Sequence, residues 1–345
     1  MQLTNWQYLI LFSASIMSVG VLTPIMRKIA IRYGVVDKPS QAHKTHKIPI
    51  PYLGGIAIMM SITSVTYFAI YIYDVNASSL LLASSLLIPA FLMGLIGLLD
   101  DLKNLSPWPR FLAQSLAGLL NAIILIKTNT LGTPTGSDFL DAVITIIWIV
   151  GITNSINFFD NLDGGASGTV AIASFSLFIL AIQGEQFLIA ALAIVLVGAT
   201  SGFLSWNKPP ARIYMGDAGA LFLGLLLASL IVRLDTNPIN MYATFSIPIL
   251  ILATPILDTC VAIASRLRRR ISPFQGGRDH LSHRLMRIGF SKRMAVSTLW
   301  LMSVYFGALA IAVSYAPYYL EGLVITIASL SWILLFLWFI TQRDE

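Results

Sequence analysis

The chain has 345 residues, of which 57% are hydrophobic and only 11% charged. That is far more apolar surface than a water-soluble core can bury, so a soluble globular protein is excluded and an integral membrane protein is indicated. A formal net charge of +6 raises nucleic-acid binding, but the placement of the basic residues accounts for it more simply, and the single cysteine, Cys260, excludes an intramolecular disulfide.

A helix needs roughly 20 apolar residues to cross a hydrocarbon core about 30 Å thick. Runs of that kind occur at 6–26, 53–73, 79–99, 110–127, 138–157, 166–183, 187–206, 218–234, 244–265, 295–315 and 321–341. They predict an all-α polytopic membrane protein of about eleven transmembrane helices, built as one domain over 1–345. The first run is too long for a signal-peptide core and lacks a basic leader or a small-residue cleavage site, so it is expected to be a retained helix. If the runs alternate direction, one set of loops (27–52, 100–109, 158–165, 207–217 and 266–294), with the adjoining helix ends and the tail, carries 20 basic residues. The other side carries two, Lys127 and Arg233. Basic residues gather on the cytoplasmic side, so the N-terminus is expected outside and the C-terminus in the cytoplasm.

The residues able to do chemistry follow the same division. His43, His46, His280 and His283 fall on the cytoplasmic side, with Asp37, Asp100, Asp101, Asp160, Asp163, Asp217 and Asp279. The opposite loops hold scattered acids and no histidine. Catalysis, if present, is expected to face the cytoplasm.

Five segments stand out in chain order. The loop from Asp37-Lys38-Pro39 through His46 and Lys47 to Gly54-Gly55 is held extended by prolines and ends in glycines that permit close approach. Asp100-Asp101 closes the third run; adjacent carboxylates resist joint ionisation without a cation or proton between them, although the pair could equally begin a solvated loop. Asn157, Asp160, Asn161 and Asp163, followed by Gly164-Gly165, form a polar knot between two apolar runs. One helix cap explains one acid, not the set. Asp217, in Tyr214-Met215-Gly216-Asp217-Ala218-Gly219, stands where an acid ordinarily caps a helix, and its place on the same side as the other acids is what makes it a candidate. Finally, Arg278-Asp279-His280-Leu281-Ser282-His283 lies in the most basic loop; two histidines three apart share a helical face, and imidazole beside arginines suits a diphosphate better than a soft metal. The run Arg266 to Arg270 reads as a basic patch lying on anionic lipid, and Asp258 as a polar packing or helix-end residue. Carboxylates for a divalent cation, basic groups for phosphate and helices for a lipid together suit a phosphorylated soluble substrate meeting a phosphorylated lipid.

Asp100-Asp101, the Asn157 to Gly164 segment, Met215-Gly216-Asp217-Ala218-Gly219 and Asp279-His280-Leu281-Ser282-His283-Arg284, in this order, resemble the polyprenyl-phosphate N-acetylhexosamine-1-phosphate transferases over nearly the whole chain. The resemblance implies transfer of a sugar 1-phosphate from a UDP-N-acetylhexosamine to undecaprenyl phosphate, giving UMP and a lipid diphosphate sugar, with Mg²⁺ or Mn²⁺. It implies a multi-pass enzyme of the bacterial inner membrane that starts a cell-envelope glycan such as lipopolysaccharide or teichoic acid, and it admits a homodimer. Carried over by motif, Asp100, Asp101, Asp160 and Asp217 are the catalytic candidates, with Asp217 and Asp101 at the metal. His46, Lys47, Asn157, Asp163, Arg278, His280 and His283 are the substrate-binding candidates. Ser282 stands where the GlcNAc branch usually has the middle histidine of His-x-His-His, and the three successive histidines of the peptidoglycan branch are absent. These departures favour UDP-GlcNAc and keep the phospho-MurNAc-pentapeptide transferase as the alternative. An ion-coupled transporter, the rival from another class, would place acids at mid-bilayer in broken helices or show inverted repeats.

Overall fold

The computed structural model describes residues 3–37, 49–73, 75–103, 105–127, 135–235, 241–272 and 277–342. In chain order these form α1 (Asn5–Arg32), the two-residue strands β1 (Val36–Asp37) and β2 (Ile50–Pro51), α2 (Gly54–Ile72), α3 (Ala77–Lys103), α4 (Pro107–Lys127), α5 (Asp138–Phe159), α6 (Gly165–Gln183), α7 (Phe187–Asn207) and α8 (Gly216–Val232). There follow α9 (Met241–Ile251), α10 (Ala253–Arg268), α11 (Leu281–Arg287), α12 (Lys292–Tyr315) and α13 (Tyr318–Thr341). Helix starts follow local chemistry: Thr4 and Gln7 form a reciprocal capping box on α1, and the Ser291 hydroxyl accepts from the Met294 amide on α12.

Among the described residues nine helices are long and apolar enough to cross a membrane, and the α9–α10 pair makes ten if it counts as one span. Two of the eleven apolar runs thus take a different form. The run at 218–234 becomes α8, 17 residues long and buried on every side from Ala218 to Ile231. The run at 244–265 is broken, with α9 and α10 meeting at 78°. Pro255, in the first turn of α10, has no N–H to give the preceding turn, so the chain breaks at Leu252 and the helix restarts at Ala253. The Trp332 indole donates to the Ala253 carbonyl at 3.2 Å beside this bend.

Lipid is as apolar as leucine, so helices in a bilayer associate through close packing rather than through the hydrophobic effect. Small residues accordingly surround α8. A Cβ at Gly97 of α3 would run into the backbone of Asp217, and one at Gly55 of α2 into the backbone of Gly219. On the far side, Gly224 faces Thr153 of α5. The bundle is therefore wound around a central helix whose first turn carries Asp217. The short β1–β2 pair, Val36 opposite Pro51, leads into it: Tyr214 donates its amide to Pro51 at 2.8 Å, and the amides of Gly54 and Gly55 donate to Tyr214 and Met215 at 3.0 and 2.9 Å.

Candidate active site

The ends of α3 and α5 and the starts of α4 and α8 meet at one end of the bundle, bringing together acids far apart in sequence. Asp101 lies in the last turn of α3 and sends both carboxylate oxygens to the start of α8, accepting from the amides of Asp217 at 3.0 Å and Ala218 at 3.1 Å. It is the N-terminal cap of a helix to which it does not belong. Gly216 makes room for it: its φ of +66° suits glycine, and a Cβ there would lie 2.5 Å from Asp101 Oδ2. The Tyr52 hydroxyl donates to the Asp101 carbonyl at 3.0 Å, and burial beside Asp101 and Asp37 pushes its phenol up.

Asp100 and Asp217 are joined through a residue that the motif reading passed over. Nη1 of Arg110, in the first turns of α4, lies 2.6 Å from Asp100 Oδ2 and 2.9 Å from Asp217 Oδ2. The remaining oxygen of each acid is also engaged, Asp100 Oδ1 by the Leu105 amide at 2.6 Å and Asp217 Oδ1 by the Asn157 carboxamide at 2.8 Å. Asp160, just beyond α5, is held well above the usual carboxylate range by burial and by the charges of Asp217, Asp101 and Asp163.

The rest of the polar knot orders the surroundings. Asp163 accepts from the Ala211 amide at 3.1 Å and the Tyr214 hydroxyl at 3.3 Å, tying the α5–α6 turn to the α7–α8 loop. Burial and Asp163 together push the Tyr214 phenol up. Asn207 completes this wall, taking the Gly164 amide and the Ser167 hydroxyl on its oxygen while donating to Ile213.

The basic loop folds over the same wall. Ser282 donates to the Asn161 carboxamide oxygen, so the residue that replaces a histidine of the motif joins the two segments. His280 packs edge-on against Phe158, with ring centroids 6.2 Å apart, and Arg266 lies over the same ring at 5.7 Å. Asp258 fixes the loop from below: one oxygen meets His280 Nδ1 at 2.7 Å, and the other accepts from the Leu281 amide at 2.7 Å. Asp258, expected as a polar packing or helix-end residue, lies inside α10 and orients a site histidine. His283 lies 6.4 Å from His280 between ring centroids, and burial, reinforced by His280, pulls its imidazole down to about 4, so it is neutral at pH 7.

The reading of Arg266 to Arg270 as a lipid-facing patch needs correction at two positions. Arg266 is 2% exposed and grips Asp279 with two nitrogens, at 2.8 and 3.0 Å, and Arg269 reaches the same acid at 2.8 Å. Burial opposes ionisation of Asp279, but the hydrogen bonds and charge of Arg266 prevail and hold its carboxyl below the usual range. Asp279 is the one acid among the basic residues from Arg266 to Arg284, and its pairing becomes definite when α10 and α11 meet. Arg278 sits on the same loop, and its carbonyl accepts from Arg287 at 2.6 Å. His46 and Lys47 lie outside the described residues.

A divalent cation would suit the acids in kind, since hard carboxylate oxygens are what Mg²⁺ or Mn²⁺ takes. The guanidinium between Asp100 and Asp217 is itself a stand-in cation at that position. Among the described residues no group of three or more His, Cys, Asp or Glu side chains is already gathered as a metal cage.

Residues 82–235 match the family model described as glycosyl transferase family 4. The chain is 33% identical over 321 residues to a Bacillus subtilis protein named a probable undecaprenyl-phosphate N-acetylglucosaminyl 1-phosphate transferase, covering 92% of this chain and 87% of the relative. It is 31% identical over 319 residues to a Mycolicibacterium smegmatis decaprenyl-phosphate N-acetylglucosaminephosphotransferase, covering 82% and 77%. A Streptococcus equi phospho-N-acetylmuramoyl-pentapeptide-transferase is 31% identical over a shorter stretch of 202 residues, 54% of this chain and 60% of that one.

Proposed function

The chain belongs to glycosyl transferase family 4, with the polyprenyl-phosphate N-acetylglucosamine-1-phosphate transferases, and from that membership we propose that it transfers GlcNAc 1-phosphate from UDP-GlcNAc to undecaprenyl phosphate. The products are UMP and a lipid diphosphate sugar, the first membrane-bound intermediate of a cell-envelope glycan. One observation carries the assignment of the site: Asp100 and Asp217, 117 positions apart by their numbers, share a single cationic nitrogen at the mouth of a membrane helix bundle. The peptidoglycan alternative is weaker, because its relatives match over 202 residues and not 321.

In this reaction an oxygen of the lipid phosphate attacks the sugar-bearing phosphorus of the donor, and the bond from that phosphorus to the UMP oxygen breaks. The nucleophile is already anionic, so orientation and charge neutralisation matter more than a strong base. When bound, Mg²⁺ or Mn²⁺ supplies neutralisation of the diphosphate and of the leaving UMP. We assign its protein oxygens to Asp217 and Asp100. Asp101, also expected at the metal, has both oxygens on the α8 amides, which supports a role in setting the position of Asp217. Asp160 and Asn157 flank the reacting phosphates. His280, steadied by Asp258, and neutral His283 offer hydrogen bonds to the sugar diphosphate beside Arg278, while Asp163 keeps the wall closed. His46 and Lys47 are assigned to the nucleotide side on the family's motif. The site faces the cytoplasm, the side on which the basic residues gather.

The test is to combine purified protein, Mg²⁺, undecaprenyl phosphate and labelled UDP-GlcNAc and to look for UMP with a lipid-linked sugar. Asp217→Asn should reach the membrane at normal levels and lose nearly all transfer. Wild-type turnover in that variant would sink the site assignment. Absence of product with every UDP-amino sugar tried would sink the reaction.

A further inference from the structure

The following inference rests on the transferase reading and concerns Arg110, which that reading does not use. Its Nη1 sits 2.6 Å from an oxygen of Asp100 and 2.9 Å from an oxygen of Asp217. These are the oxygens just assigned to the metal, and the other oxygen of each acid is held by Leu105 or Asn157. A guanidinium and a divalent cation cannot occupy the same pair of oxygens, since their charges repel and each fills the same lone pairs. The Arg110 and Asp217 side chains are 26% and 31% exposed, so the cluster is open enough for exchange. The Leu105 amide, five residues before Arg110, is itself held by Asp100 at 2.6 Å, which keeps the start of α4 beside the acids.

We propose that Arg110 is a resident counter-cation that the metal must displace, and that the freed guanidinium settles on the diphosphate of the incoming nucleotide. Metal and nucleoside diphosphate then bind as a coupled pair. With neither present, Arg110 bridges the two acids and holds them in register. With metal alone, a guanidinium is left close to a divalent ion without an anion to receive it. With both, every charge has a partner. Such coupling is reciprocal, so each ligand raises the affinity for the other by the same factor.

The experiment titrates Mn²⁺ into detergent-purified protein, reading free Mn²⁺ by electron paramagnetic resonance, with and without UDP and with the Mn²⁺–UDP complex formed in solution subtracted. In the wild type, UDP should tighten Mn²⁺ binding by about tenfold or more, a coupling of ordinary size. Arg110→Gln should bind Mn²⁺ without UDP about tenfold more tightly than the wild type and lose most of the UDP effect. Arg110→Lys, which keeps the charge on a shorter reach, should fall between the two, and it carries the comparison if the glutamine variant is not monodisperse. If both variants match the wild type or bind Mn²⁺ more weakly without UDP, the proposal is overturned. Mn²⁺ binding indifferent to UDP in the wild type overturns it too. Asp217→Asn separates the two levels: loss of Mn²⁺ binding there with an unaltered Arg110→Gln removes only the exchange, whereas Mn²⁺ binding retained in Asp217→Asn removes the metal site itself.

Discussion

Asp101 shows how much a single carboxylate does by touching backbone alone. Its bonds to Asp217 and Ala218 satisfy two of the amides that any helix start leaves open. Asp101→Ala should lower stability by about 0.5–2 kcal/mol, the range for a lost cap, and reduce transfer much further because Asp217 loses its registration. Thermal unfolding and turnover measured on the same preparation check this. The Arg266–Asp279 pair is of another kind, with both side chains 2% exposed. Arg266→Met takes two of the three arginine hydrogen bonds from a buried carboxylate and leaves it Arg269 alone, and the expected loss is about 1.5–3 kcal/mol in a denaturation measurement. His283 gives a pH signature. Its folded value near 4 lies below the ordinary 6.5, so the unfolded chain binds the extra proton and stability falls as pH drops from about 6.5 toward 4. His283→Gln should remove that part of the acid loss, seen as a flatter unfolding profile across this window. The acids and histidines were legible in the sequence because each stands in a recognisable motif. Arg110 and Asp258 were not, because an arginine at a helix start and an acid in an apolar run carry no information about partners 107 and 22 positions away.

Among the elements, α8 and the α9–α10 bend show where hydropathy ends as a guide. Apolar content marks both as membrane segments, but it does not distinguish a helix facing lipid from one enclosed by protein. What encloses α8 is the set of small residues opposite it. Gly97→Val would drive a branched side chain into the Asp217 backbone, so α3 and α8 must separate. The expected result is a loss of about 1–3 kcal/mol by overpacking, with lower yield and a lower unfolding temperature. The bend is written in Pro255, yet its direction is not, because the angle depends on what α10 packs against after the break. Here that is α5, α12 and α13, and the consequence is that Asp258 and Arg266 arrive beneath the His280 loop.

At the scale of the whole molecule, every site residue described lies at one end of the bundle, the end where the basic residues were counted. Cytoplasmic orientation then has a direct check: with Cys260 replaced by serine, Arg270→Cys should react with a membrane-impermeant maleimide only in inverted vesicles, and Asp138→Cys only in intact cells. The reverse pattern would turn the topology over. The sequence by itself determined the class of protein, the number of apolar segments to within the bent pair and the short central helix, and the motifs of the site. It could do so because the bilayer fixes helix length and because acids at helix ends are too unfavourable in lipid to be incidental. Tertiary structure alone decided which acid caps which helix, that one guanidinium nitrogen sits between Asp100 and Asp217, and that Ser282 docks on Asn161. Those are contacts between segments that meet only when close-packed helices bring them together, and no local pattern encodes the partner on the other side.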